Sequence, residues 1–119
     1  MRRLLATLCL LVSLPLMAGE AELNAAVTAL QSPDTLLIDV RTAEEFAAGA
    51  LPNAERIGHE QIASQISTLA PDKDTAIVLY CQSGRRSGIA EESLRAMGYS
   101  NLINAGGYEE LKFALESQD

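Results

Sequence analysis

One cysteine stands where its chemistry can be used. Cys81 directly follows the apolar run TAIVLY (75–80), and Gln82, Ser83, Gly84, Arg85 and Arg86 come after it. The spacing predicts that Cys81 is the first residue after a buried strand and that a helix begins at about Ser87. A short glycine-containing loop between the two turns successive backbone N–H groups inward at the positive end of a helix dipole. Arg85 and Arg86 add two formal positive charges.

The consequence is a stabilised thiolate. An ordinary cysteine with a pKa of about 8.5 is only ~3% ionised at pH 7. Lowering that pKa by two units corresponds to ~2.7 kcal/mol and gives ~75% thiolate. The same cradle of amides would stabilise a persulfide anion, or an oxyanion beside the sulfur. The bland alternative is an inert cysteine at a strand end. It leaves the glycine and the two arginines without a purpose.

Other polar residues take two readings. Asp39 and Arg41 leave a strand end and could support the cysteine loop from behind. They could equally form an ion pair with Glu44 or Glu45 that orders the first helix after the strand, a common and weak arrangement. His59 is the only histidine. It falls after a glycine at the start of a helix, away from Cys81, so a Cys–His dyad is not expected. Gly106 and Gly107 predict a tight backbone turn near the site.

These residues need a scaffold that brings three chain segments to one rim. TLLIDV (35–40) and TAIVLY (75–80) are continuous apolar runs of strand length, so both faces must be covered. Ala54–Ile57 and Asn101–Asn104 read as further short strands. Helices are expected over Glu22–Gln31 and Glu60–Leu69, over Ser87–Met97 with Ile89, Leu94 and Met97 inward, and over Tyr108–Glu116. Thr42 and Glu45 form a Thr-x-x-Glu capping box for a short helix ending at Ala48, before Gly49. The fold class is therefore α/β, with a small, mainly parallel sheet flanked by helices on both faces. In such sheets, sites lie beyond the carboxyl ends of the strands. Asp39–Arg41, Cys81–Arg86 and Ala105–Gly107 all leave strands at that rim.

The first residues read as a targeting segment. Arg2 and Arg3 precede a 13-residue apolar run from Leu4 to Leu16, with small residues at Ala18, Gly19 and Ala21. As a helix the run spans roughly 20 Å, short of a hydrocarbon core of ~30 Å. This is the pattern of a cleavable secretory signal over residues 1–19, with cleavage between 18 and 21. Residues 20–119 form the mature domain, expected as a periplasmic monomer without stable membrane insertion.

Composition narrows the function. The 119 residues carry 16 acidic and 9 basic side chains, a net charge of −7. Loss of Arg2 and Arg3 leaves seven basic residues and a charge of −9. A general nucleic-acid binder is excluded, because counterion release needs clustered Lys and Arg. The two cysteines, Cys9 and Cys81, exclude a disulfide-stapled miniprotein. With Cys9 removed, Cys81 has no internal partner. It must be buried or used in an oxidising compartment.

LLIDVRTAEEFAAGALPNAERI (36–57), IVLYCQSGRRSGIAEESLRAMGY (77–99) and NLINAGGYEEL (101–111) together resemble the rhodanese family of sulfurtransferases. The resemblance runs from about residue 32 to 113. It implies that Cys81 is the nucleophile. Cys81 would take the sulfane sulfur of a small anionic donor such as thiosulfate and pass it from a persulfide to cyanide or a thiol. It further implies that the backbone of Gln82, Ser83, Gly84, Arg85 and Arg86 cradles the persulfide, and that the two arginines draw the donor in against the acidic background. No metal or cofactor is required. Phosphatases of this fold use Cys-x5-Arg, whose arginine would fall at Ser87, so a phosphatase or arsenate reductase is disfavoured. A carrier that holds a persulfide for a protein partner is the alternative function. Ala50, Asn53 and Arg56 depart from the family's usual residues on one rim segment, which touches donor preference and not the fold.

Overall fold

The computed structural model describes residues 18–118. Cys9 and residues 1–17 of the expected signal lie outside the described residues. The order is α1 (Ala18–Ala29), β1 (Leu36–Asp39), α2 (Ala43–Ala48), β2 (Glu55–Arg56), α3 (Ile62–Leu69), β3 (Ile77–Cys81), α4 (Arg85–Ala96), β4 (Leu102–Gly107) and α5 (Tyr108–Glu116). Four strands form one sheet in the order β2-β1-β3-β4, and every pairing is parallel. The two apolar runs become the central strands. All five residues of β3 are buried, as a strand covered on both faces requires.

Two aliphatic cores sandwich the sheet. Ile38, Val40, Leu79 and Cys81 face α3 and α4, where Ile62, Ile66, Ala90 and Leu94 meet them. Leu37, Val78, Tyr80 and Ala105 face the other way, toward Ala26 and Val27 of α1 and Leu111 of α5. Strand alternation alone assigns these sides. It puts Cys81 on one face and its neighbour Tyr80 on the other.

Several boundaries differ from the sequence reading. Helix α1 begins at Ala18 instead of Glu22, with its first buried residues at Ala26 and Val27. Cys81 is the last residue of β3, paired with Gly107, and not the first residue of the loop. Helix α4 begins two residues early, at Arg85, because Gly84 in the left-handed region (φ 98°) ends the turn and takes the N-cap position without a side-chain cap. The inward stripe of α4 is Ser87, Ala90 and Leu94, whose small first members let the helix sit close to the sheet. Ile89 falls off that stripe and is 39% exposed. Strand β4 continues through Gly106 and Gly107 instead of turning there, because a bulge opposite Leu79 and Tyr80 restores its pairing with β3.

The short helix α2 is specified locally. The Thr42 side chain accepts from Glu45 N at 3.1 Å, and Glu45 Oε1 accepts from Thr42 N at 3.0 Å. This is the reciprocal box expected from the sequence. Among the described residues, no helix is long and apolar enough to cross a membrane.

Candidate active site at the β3–α4 loop

The Cys81 sulfur sits at the carboxyl end of β3, and the residue is fully buried. Gly84 N donates to Sγ at 2.9 Å, and Ser87 Oγ lies 3.4 Å from it. Burial pushes the thiol pKa up. The Ser87 hydroxyl and the backbone amides of Ser87, Ser83 and Gly84 outweigh it, so the net displacement is below the usual thiol value. The sequence ascribed the stabilisation to amides and arginines. The Ser87 hydroxyl belongs with them, a role that its place at the expected start of the helix does not reveal.

The loop closes against β4. Gly84 (φ 98°) and Gly106 (φ 90°) both occupy backbone space that side chains rarely adopt. A Cβ on Gly84 would stand 3.2 Å from the Gly106 Cα. Asn104 locks this approach. Its Nδ2 donates to Gly84 O at 3.1 Å, while its Oδ1 accepts from Gly106 N at 3.0 Å and from Ser87 Oγ at 2.7 Å. Asn104 was read as a strand end and nothing more. Its place opposite Leu79, on the Cys81 side of the sheet, follows from the β3–β4 register, which no local pattern reveals.

Arg41 does not pair with Glu44 or Glu45. Its guanidinium grips Asp39 through Nε at 3.0 Å and Nη2 at 2.7 Å, and both residues are buried. The same Nη2 donates to Gly49 O at 2.7 Å, and Nη1 donates to Gln82 Oε1 at 3.2 Å. The guanidinium also lies 4.4 Å from the ring centroid of Tyr108. The Asp39 hydrogen bonds raise the Arg41 pKa above its usual value against the opposing effect of burial. Asp39 and Arg41 thus reach the loop through Gln82, from the face of the sheet opposite Cys81.

The two arginines of the loop part ways. Arg86 turns back to α2 and meets Glu45 through Nη1–Oε1 at 2.8 Å and Nη2–Oε2 at 3.1 Å. Arg86 foremost, and the Thr42 amide after it, draw the Glu45 pKa down to about 2. Arg85 is exposed. Arg56 donates to Arg41 O at 3.1 Å, tying β2 to the same rim. His59 hangs from Val40 O through its backbone amide at 3.3 Å.

A parallel α/β sheet with a cysteine loop at its carboxyl rim and a buried Asp–Arg pair behind that loop defines a domain built to present one stabilised thiol. The chain belongs to the rhodanese family: the family described as "Rhodanese-like domain" matches residues 22–114. It is 38% identical over 74 residues to the thiosulfate sulfurtransferase PspE of Escherichia coli, covering 62% of this chain and 71% of that one. It is equally identical over 74 residues to a sulfurtransferase of Allochromatium vinosum, covering 62% of this chain and 67% of the relative. Among solved structures, "rhodanese with anions from E. coli" superposes with a TM-score of 0.62 at 37% identity, over 64% of this chain and 89% of that one. The human single-domain sulfurtransferase TSTD1 superposes with a TM-score of 0.65 at 31% identity, over 81% and 94% of the two chains.

Proposed function

We propose that the protein is a thiosulfate sulfurtransferase in which Cys81 is the nucleophile. The observation that carries this reading is the Cys81 sulfur held under the Gly84 amide and the Ser87 hydroxyl at the head of α4. The Cys81 thiolate attacks the outer sulfur of thiosulfate. An S–S bond forms to Cys81, the old S–S bond breaks, and sulfite leaves with the bonding pair. The terminal sulfur of the persulfide is then attacked by cyanide or a thiolate, and Cys81 departs as thiolate. No net oxidant is needed.

Residues Gln82 to Arg86 are assigned to the persulfide and the donor. Asp39 and Arg41 are assigned to holding Gln82. The relatives named as thiosulfate sulfurtransferase and sulfurtransferase support the donor class. The basic start and short apolar run of residues 1–19 support export to the periplasm, leaving residues 20–119 as the working domain.

Intact mass spectrometry of the exported protein tests the reading. After thiosulfate treatment the mass should rise by one sulfur atom, and cyanide should remove it. The Cys81→Ser variant should gain nothing. A sulfur adduct on folded Cys81→Ser protein, or none on the wild type, would overturn the assignment.

A further inference from the structure

Ser87 has one hydroxyl proton and two acceptors. Asn104 Oδ1 lies 2.7 Å from Ser87 Oγ, an ordinary distance for an O–H···O bond, and Cys81 Sγ lies 3.4 Å away. The Asn104 amide cannot turn to relieve this competition. Its Nδ2 is engaged by Gly84 O and its Oδ1 already accepts from Gly106 N, so the acceptor side is fixed toward Ser87.

We propose that Asn104 is a positioning residue that competes with Cys81 for the Ser87 hydroxyl proton. With Cys81 as a thiol, the hydroxyl donates to Asn104 Oδ1. With charge on the sulfur, the hydroxyl turns to donate to Sγ, and Asn104 Oδ1 retains the Gly106 N–H. Ionisation therefore breaks one hydrogen bond to make another, and Asn104 holds the thiol less acidic than Ser87 alone would make it. The proposal rests on the reading of Cys81 as the reacting sulfur and deepens it.

The other groups around the sulfur do not take part in this exchange. Arg86, at the head of α4, is partly buried and bound to Glu45. Arg85 stands exposed at the start of the same helix. The Asp39–Arg41 pair lies on the far face of the sheet, α3 offers Ile62 and Ile66, and β1 offers Ile38, with Val40 just after it. His59, in the connection between β2 and α3, is tied by its backbone to Val40.

The two residues should move the thiol in opposite directions. In the full chain, the rate of iodoacetamide alkylation is followed against pH on the Cys81 peptide by mass spectrometry. Ser87→Ala should raise the midpoint by about one pH unit, the scale of a hydrogen bond to a charged group. Asn104→Ala should lower it by roughly half a unit, since the hydroxyl is freed for the sulfur. In the Ser87→Ala background, Asn104→Ala should no longer lower the midpoint, because the competition runs through that hydroxyl. A midpoint that rises or stays fixed in Asn104→Ala overturns the proposal, as does an equal fall in the Ser87→Ala background.

A second measurement needs no Asn104 variant. The Asn104 side-chain amide NMR signals should titrate with the Cys81 midpoint in the wild type and lose most of that amplitude in Ser87→Ala. Equal amplitudes would overturn the proposal. Neither measurement passes through sulfur transfer. Failure of the Cys81 assignment would show instead as sulfur loading of Cys81→Ser.

Discussion

The guanidinium of Arg86 and the carboxylate of Glu45 face each other fork to fork, 2.8 and 3.1 Å apart, across the gap between the α4 head and α2. Glu45 also closes the capping box of α2. One carboxylate therefore sets the start of one helix and anchors the head of another. The loop that holds Cys81 is strung between β3 and that anchored point.

The two loop arginines should fail differently. Arg86→Ala should lower kcat/KM for thiosulfate by roughly 10- to 150-fold, the range for a lost charged hydrogen bond, with little response to salt. Arg85→Ala should act mainly on KM and weaken as ionic strength rises, since the side chain is exposed. Steady-state kinetics at low and high salt check this. Equal, salt-erased losses would show that the Arg86–Glu45 contact does not support catalysis.

Acid should reach the anchor before the core. Glu45 has a folded pKa of about 2 against an ordinary 4.5, so its contribution is complete above the ordinary value and is lost as pH falls toward 2. The pair is partly exposed, so the loss should stay near or below about 1 kcal/mol. Urea unfolding of the wild type and Glu45→Gln between these pH values checks it. The variant should show the flatter pH dependence.

Removing Arg41 should be far costlier. Arg41→Ala leaves the fully buried Asp39 carboxylate without its partner, which costs about 3–5 kcal/mol. That is a large part of the 5–15 kcal/mol typical of a domain. Arg41→Lys should not rescue it, because an ammonium cannot reach Asp39, Gly49 and Gln82 together. Denaturant midpoints decide between these outcomes. A loss below about 1 kcal/mol in Arg41→Ala would refute the buried-pair account.

The pH profile of the reaction should follow the thiol. Because the Cys81 pKa lies below the usual thiol value, kcat/KM for thiosulfate should rise with pH and level off at a lower pH than an ordinary thiol would give. Cys81→Ser should remove turnover by on the order of 10³-fold or more while the circular dichroism spectrum is kept.

Trimming the N-terminus should leave stability alone. Residues 19–22 are exposed, and the first fully covered residues of α1 are Ala26 and Val27. A chain beginning at Glu22 should melt within about 4 °C of one beginning at Gly19, as surface changes within ±0.5 kcal/mol allow. A drop of about 8 °C or more would mean that the first turn of α1 is needed.

Much of the scaffold could be read from short-range patterns. LLID and IVLY are apolar on both faces, and the Thr42–Glu45 spacing fixes α2 by local hydrogen bonds alone. The cysteine loop was legible because its glycine and arginines cluster within six residues of Cys81. What could not be read depends on strands meeting. Spacing alone leaves Arg41 open to Glu44, Glu45 or a role behind the cysteine loop; alternation decides, by turning both Asp39 and Arg41 to the Tyr80 face. Ser87 and Asn104 are 17 residues apart, and only the bulged pairing of β4 with β3 brings them together.

That bulge has a consequence for how the domain can change its chemistry. Ala105 is the extra residue that sets Gly106 opposite Tyr80 and Gly107 opposite Cys81. A Cβ at Gly107 would come within 2.7 Å of Gln82 O, and one at Gly84 would crowd Gly106. The loop and the edge strand are therefore cut to one another's length. A residue inserted between Cys81 and Gly84 has no slack to enter unless β4 shifts its register as well. Widening the ring to admit a larger anion is thus a two-site change, and a lineage or a designer that altered the loop alone would lose the sheet edge before gaining the new substrate.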